Sequence, residues 1–221
     1  MSVPLETCIG PASSRTMVKI CGISRPEDAL LAARLGAFAV GFVFWPRSPR
    51  VVDPTVARRI GEALPDGVTR VGVFVDQPID EVVQVARGAR LDAVQLHGHE
   101  PVAFARSVQD ALGCLVIKAF GVGEGFSVDV LDEVPGDMLV LLDAHDPVKR
   151  GGTGRVIDWS IAAAAANRRQ IMLSGGLTPA NVTDAIAAVR PFAIDVSSGV
   201  EAAPGVKDPA RLRALFAARH P

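Results

Sequence analysis

The feature that most restricts how this chain can fold is a repeated alternation. Eight times between residues 17 and 221, a short apolar run ends in a turn of small or polar residues and gives way to a segment with helical spacing. The apolar runs fall at 17–21, 38–44, 69–75, 93–96, 114–120, 138–143, 171–173 and 192–196. Runs such as 38–44 are apolar almost throughout, as in parallel strands covered on both faces. Helical segments are predicted at 25–35, 54–63, 79–88, 101–112, 158–166, 178–189 and 208–219, with a weaker helix ending near Glu133. Ser24, Asp53 and Thr178 stand where N-caps are expected, with Pro179 at a first helical position and Gly36 just past a helix end. An open doubly wound sheet uses the same units. Eight of them in 221 residues fit a single (β/α)8 TIM barrel better, because that length approaches the usual barrel size. No change of composition marks a linker, so residues 17–221 are read as one barrel domain. Residues 1–16 lack the basic start and apolar run of a signal peptide and are read as a disordered extension.

Composition narrows the function classes. Hydrophobic residues make up 49%, enough for a large core, and the net charge is −1 with the basic residues scattered. That argues against a nucleic-acid surface. The longest apolar stretch, 29–45, is interrupted by Arg34, so no membrane span is read. The three cysteines, Cys8, Cys21 and Cys114, have no metal-ligand spacing, and their odd number argues against a disulfide framework. A reducing cytoplasm is the expected compartment.

In a barrel of this kind the C-terminal strand ends converge on one mouth, so the turns list what the mouth contains. Alternation puts Lys19 and Cys21 on one face of the first strand and Val18 and Ile20 on the other. The second turn brings Arg47 and Arg50, the fourth strand His97, and the sixth Asp143. The last two strands end in Ser174-Gly175-Gly176 and Ser197-Ser198-Gly199, whose unobstructed backbone N–H groups suit a phosphate. No set of His and carboxylate ligands suited to a metal is evident. A thiol facing a carboxyl group points to paired proton transfer. Cys21 would act as base after a modest downward pKa shift helped by Lys19, and Asp143 as acid after an upward shift from burial. Each residue also has a plainer reading. A strand-end cysteine is usually a small buried hydrophobe, Asp143 could cap its loop, and loop arginines are usually solvated. His97 reads as a supporting group or a core histidine, and His99 and His145 as exposed. The glycines at 151–154 lack the lysine of a nucleotide-binding loop and read as hinges of a mobile flap. If the barrel closes, Lys19 and Asp195 become neighbours and are expected to form a buried ion pair.

Seven pieces occur in order: 18–23 (VKICGI), 41–50 (GFVFWPRSPR), 95–98 (QLHG), 141–143 (LLD), 151–154 (GGTG), 174–177 (SGGL) and 195–201 (DVSSGVE). Together they resemble phosphoribosylanthranilate isomerase of tryptophan biosynthesis, from about Met17 to the C-terminus. The resemblance implies an Amadori rearrangement of N-(5-phosphoribosyl)anthranilate to 1-(2-carboxyphenylamino)-1-deoxyribulose 5-phosphate by general acid–base catalysis. It also implies roles. Cys21 matches the base that removes the proton at ribose C2, and Asp143 the acid that protonates the furanose oxygen. Arg50 matches the arginine that meets the anthranilate carboxylate, in preference to Arg47. The backbone at Gly175, Gly176, Ser197 and Ser198 matches the phosphate cradle, and His97 is expected among the substrate-binding residues. The redox change is internal to the substrate, so no cofactor or metal is required. A phosphosugar is the implied partner, and the chain is expected as a monomer or homodimer. Three rival functions make different demands on the sequence. A pentose-phosphate epimerase would want metal-binding His and Asp at several strand ends. The isomerase of histidine synthesis uses two aspartates, where this chain has Cys21. A non-catalytic phosphosugar-binding protein would need neither Cys21 nor Asp143.

Overall fold

The computed structural model describes residues 16–144 and 157–219. Residues 1–15 of the extension expected at 1–16, His145 and the glycine loop at 151–154 lie outside the described residues. The eight apolar runs become strands β1 (Met17–Cys21), β2 (Ala39–Val43), β3 (Thr69–Phe74), β4 (Ala93–Leu96), β5 (Leu115–Val122), β6 (Leu139–Ala144), β7 (Ile171–Leu173) and β8 (Ala193–Val196). They pair in chain order, each parallel to the next, and β8 returns to β1, so the sheet closes into an eight-stranded barrel. Helices α1 (Pro26–Arg34), α2 (Pro54–Glu62), α3 (Ile79–Gly88), α4 (Val102–Leu112), α5 (Trp159–Ala166), α6 (Val182–Val189) and α7 (Pro209–Ala218) follow the strands. The unit after β5 has a 3-10 helix at Val128–Glu133 in place of an α-helix. Arg169 holds that segment's far side, donating to the carbonyls of Leu131, Val134, Pro135 and Met138.

Strand alternation divides the core in two. Val18, Ile20, Val40, Phe42, Val94, Leu96, Val140, Leu142, Ile194 and Val196 point outward and pack under the helices. Ala39, Val71, Ala93, Ile117, Leu141, Met172 and Ala193 point inward and fill the lower barrel. Each fully buried large side chain, such as Phe42 or Ile20, contributes about 2 kcal/mol of transfer free energy. Above the inner apolar layer, toward the C-terminal strand ends, the filling changes to Lys19, Cys21, Gln95, Asp143 and Asp195, all buried.

Local chemistry sets most boundaries. Asp53, Asp158 and Asp208 cap α2, α5 and α7 through their side chains, and Pro26, Pro54 and Pro209 open helices where a missing N–H costs nothing. Gly36, at φ 93°, ends α1 as expected. Two expected caps fail. Ser24 instead donates to the Gly205 carbonyl at 2.6 Å, and Arg25 precedes α1 without a capping bond. Thr178 begins a turn rather than a helix. Asn181 closes that turn, accepting from Thr178 N at 2.7 Å and donating to Gly176 O at 2.9 Å, and α6 starts only at Val182. One element is new: an antiparallel hairpin of β9 (Glu201–Ala203) and β10 (Val206–Lys207) between β8 and α7. No helix among the described residues is long and apolar enough to cross a membrane.

Candidate active site

A pocket opens at the C-terminal ends of the strands, lined by Cys21, Arg50, His97, Asp143, Ser174 and Ser197 among others. Five of the residues singled out from sequence therefore meet in one place. Four of them, all but Arg50, arrive by the same rule: each ends or follows a strand at an inward-facing position, two residues on from a buried inner neighbour. Cys21 follows Lys19, His97 follows Gln95, Asp143 follows Leu141, and Ser197 follows Asp195. Val43, Trp45, Val73 and Val75 add an apolar wall on the β2–β3 side.

Cys21 is 8% exposed and sits over Gly41, where any Cβ would come within 2.8 Å of its sulfur. Burial pushes the thiol above its ordinary value; Lys19 and Lys207 pull it down and Asp195 pushes it up, and burial prevails. The modest downward shift expected from Lys19 alone is thus overturned. Lys19 itself is fully buried, and its ammonium lies 2.8 Å from Asp195, so the expected ion pair at the β1–β8 seam is present. Burial works against the charge on Lys19, but Asp195 and Cys21 outweigh it and its pKa rises.

Asp143 is tied at both oxygens. Oδ1 accepts from Ala144 N at 2.9 Å, and Oδ2 lies 3.1 Å from His97 Nε2. The other imidazole nitrogen, Nδ1, is 2.8 Å from Gln95 Nε2. His97 is therefore the middle of a three-residue chain rather than an isolated core histidine. His99 is exposed and lies beside Asp76.

Arg50 lines the pocket, whereas Arg47 is exposed and stands outside it. The resemblance assigns Arg50 to a substrate carboxylate. In the fold, its Nε and Nη2 donate to Glu201 at 2.9 and 2.7 Å, so one edge of the guanidinium is already occupied. That hydrogen bonding raises the Arg50 pKa. Glu201 also accepts from Lys207 Nζ at 2.8 Å and Gly205 N at 3.2 Å. Burial opposes the charge on Glu201, yet Arg50 and Lys207 hold its carboxyl below the usual range. Lys207 Nζ reaches the Ser197 carbonyl as well, at 3.2 Å. Glu201 and Lys207 were missed because only the hairpin brings them under the pocket. Gln95 was missed although it shares a strand face with His97, two residues away, and that spacing was a usable signal.

Gly175, Gly176 and Ser198 do not line the pocket itself. They continue the loops that begin at Ser174 and Ser197. Gly175 and Gly176 have φ of 88° and 66°, a left-handed pair that suits glycine, and their N–H groups bond to no other described backbone group. The two loops touch: a Cβ on Gly199 would overlap the Leu177 carbonyl. The turn after β1 packs against the same region, since a Cβ on Gly22 would lie 3.1 Å from Ser197 Oγ and 2.6 Å from Arg50 Cδ.

A sequence profile of the N-(5'-phosphoribosyl)anthranilate isomerase family matches residues 18–218. The N-(5'-phosphoribosyl)anthranilate isomerase of Thermotoga maritima is 49% identical over 195 residues, which cover 86% of this chain and 92% of that protein. A crystal structure of phosphoribosyl anthranilate isomerase in complex with reduced 1-(o-carboxyphenylamino)-1-deoxyribulose 5-phosphate superposes with a TM-score of 0.81 at 44% identity, over 92% of this chain and 98% of that one. Monomers of the dimeric phosphoribosylanthranilate isomerase of Thermotoga maritima superpose with a TM-score of 0.81 at 42% identity, with the same coverage of 92% and 98%.

Proposed function

The chain belongs to the N-(5'-phosphoribosyl)anthranilate isomerase family, and from that membership we propose how the residues at its barrel mouth share the work. The reaction is the isomerisation of phosphoribosylanthranilate in tryptophan biosynthesis. In it an aminoaldose becomes an open-chain aminoketose, so one ring bond must break and one C–H proton must move.

We assign the two proton transfers to Asp143 and Cys21. Asp143 gives a proton to the furanose oxygen. The C1–O bond breaks with its electrons going to that oxygen, and the anthranilate nitrogen lone pair forms a C1=N iminium. The iminium acidifies the hydrogen on C2. Cys21, as thiolate, takes that proton, and the C–H electrons form the C1=C2 bond of an enaminol while neutralising the iminium. Tautomerisation of the enaminol moves its hydroxyl proton to C1 and leaves the ketone. The observation that supports this division is that Cys21 from β1 and Asp143 from β6 line one pocket. They approach from non-adjacent strands of a closed barrel, and so can flank a single ribose ring.

Binding groups stand on either side. The free edge of Arg50 is assigned to the anthranilate carboxylate, and the wall of Val43, Trp45, Val73 and Val75 to its ring. The N–H groups of Gly175, Gly176, Ser197 and Ser198 are assigned to the phosphate, with His97 supporting Asp143. A homodimer is the favoured assembly, on the strength of the dimeric Thermotoga relative. The cytoplasm is the favoured location, because the mechanism needs a reduced thiol.

The test is a coupled assay that generates phosphoribosylanthranilate in situ and follows loss of its fluorescence. Cys21→Ala and Asp143→Ala are each expected to lower turnover by about 10²-fold or more, the usual scale of acid–base catalysis. Folded variants that keep near-wild-type turnover would remove the assignment.

A further inference from the structure

Gln95 is 1% exposed, and its Oε1 has no hydrogen-bond partner among the described residues, while its Nε2 contacts His97. An unpaired buried amide oxygen costs roughly 1–3 kcal/mol and calls for a reason. The contacts on either side of His97 supply one. Distances alone do not fix which end of an amide faces an imidazole, so the allowed arrangements follow from matching donors to acceptors.

With the Gln95 NH2 toward the ring, Nδ1 must accept. The His97 proton then sits on Nε2 and is donated to an ionised Asp143. With the amide turned over, Gln95 Oε1 accepts from Nδ1–H. Oδ2 of Asp143 and Nε2 then share one further proton, held as a carboxylic acid against a bare nitrogen or as a carboxylate against an imidazolium. Every other combination sets two donors or two lone pairs face to face. The amide orientation therefore counts protons: one on the His97–Asp143 pair in the first arrangement, two in the second. Because the outer Gln95 atom has no hydrogen-bond partner among the described residues, turning the amide over exchanges an unpaired oxygen for an unpaired NH2 and breaks no other described hydrogen bond.

We propose that Gln95 is a positioning residue whose amide orientation is tied to the proton load of His97 and Asp143: turned over, with Oε1 on Nδ1–H, it holds the pair loaded and ready to deliver a proton. This rests on the assignment of Asp143 as the general acid. The proton leaves Asp143 for the ring oxygen while Nδ1–H stays on Gln95 Oε1, and Nε2 and the Asp143 carboxylate, left with lone pairs face to face, take up the next proton from solvent to reload the pair. The charged or titratable groups that line the same pocket are Cys21 from β1, Arg50 from the loop after β2, and Asp195 from β8, the last paired with Lys19.

The experiment uses the intact chain with 15N-labelled histidine. As pH is raised, wild-type His97 is expected to lose the proton on Nδ1 and keep the one on Nε2. A glutamate at this position accepts only, so Gln95→Glu is expected to keep Nδ1 protonated across the range in which wild type loses it. Gln95→Met, of similar volume, is expected to lower kcat roughly tenfold, a part of the acid–base contribution, with KM within about twofold. A wild-type Nδ1 that stays protonated throughout, or a Gln95→Met enzyme with unchanged kcat, overturns the proposal. Asp143→Asn separates the two readings: if it abolishes turnover while Gln95→Met does not, only the role of Gln95 is lost, and if it stays active the acid assignment is lost too.

Discussion

The acid–base pair depends on what each side chain meets, and Cys21 shows how far that departs from residue type. Lys19 on the same strand face promises a lowered thiol pKa, and it does pull in that direction. Burial pulls harder, and Asp195 adds to it. A pattern of alternating residues identifies the face a cysteine occupies but not how deeply the finished barrel encloses it. For catalysis the sign is clear: the base is the thiolate, so its fraction in the free enzyme grows as pH rises. For stability, a folded pKa above the unfolded one favours the native state fully at pH below the unfolded value, and that contribution fades as pH rises through the folded one. We expect the difference in ultraviolet thiolate absorbance between wild type and Cys21→Ser to titrate above the ordinary thiol value of 9.0. A midpoint below that value would show that the two lysines, not burial, control the sulfur.

Strands and turns were legible to different degrees. All eight strands were readable because parallel strands buried on both faces leave unbroken apolar runs; a period of two placed Cys21 with Lys19, and position at a strand end placed His97, Asp143 and Ser197 at the mouth. The start of α6 was not, because Thr178-Pro179 fits a helix start locally while Asn181 closes it into a turn against Gly176. The β9–β10 hairpin was not either: strands this short carry no periodicity, and their role comes from the distant Arg50 and Ser197 that they reach through Glu201 and Lys207. The loops after β7 and β8 act as one element because Gly199 lets the backbone at Leu177 approach without a Cβ between them. Gly199→Ala must push these loops apart. Its expected effect is a rise in KM of about tenfold, equivalent to ~1.4 kcal/mol of binding, with a smaller change in kcat. Steady-state kinetics at varied substrate, with inorganic phosphate as a competing ligand, would check it; phosphate inhibition should weaken in parallel. An unchanged KM and phosphate inhibition constant would mean that the phosphate is held elsewhere.

At the scale of the whole molecule, one pair joins the fold's closure to its chemistry. A barrel is complete only when its last strand finds its first, and β8 meets β1 with Lys19 in register with Asp195. The pair could be foreseen from sequence because closure makes these strands neighbours and both residues point inward. It is buried, with side chains 0% and 5% exposed, so removing one partner strands a charge in the core, at a cost of roughly 3–5 kcal/mol. Lys19→Met and Asp195→Asn should therefore both lower Tm, by roughly 10 °C for a chain of this size. A double Lys19→Met, Asp195→Leu variant should lose less than the two single changes combined, since it leaves no unpaired charge. The same two single substitutions should move the Cys21 thiol in opposite directions. Lys19→Met removes a cation that lowers its pKa, so the titration midpoint rises; Asp195→Asn removes an anion that raises it, so the midpoint falls. Thermal melts and thiolate absorbance on the same preparations give both readings. Equal signs in stability with opposite signs at the sulfur would establish that one ion pair serves both the seam and the base. If both substitutions left Tm unchanged, the barrel would have to close by its apolar contacts and strand ladder alone, and the pair would have no part in the seam.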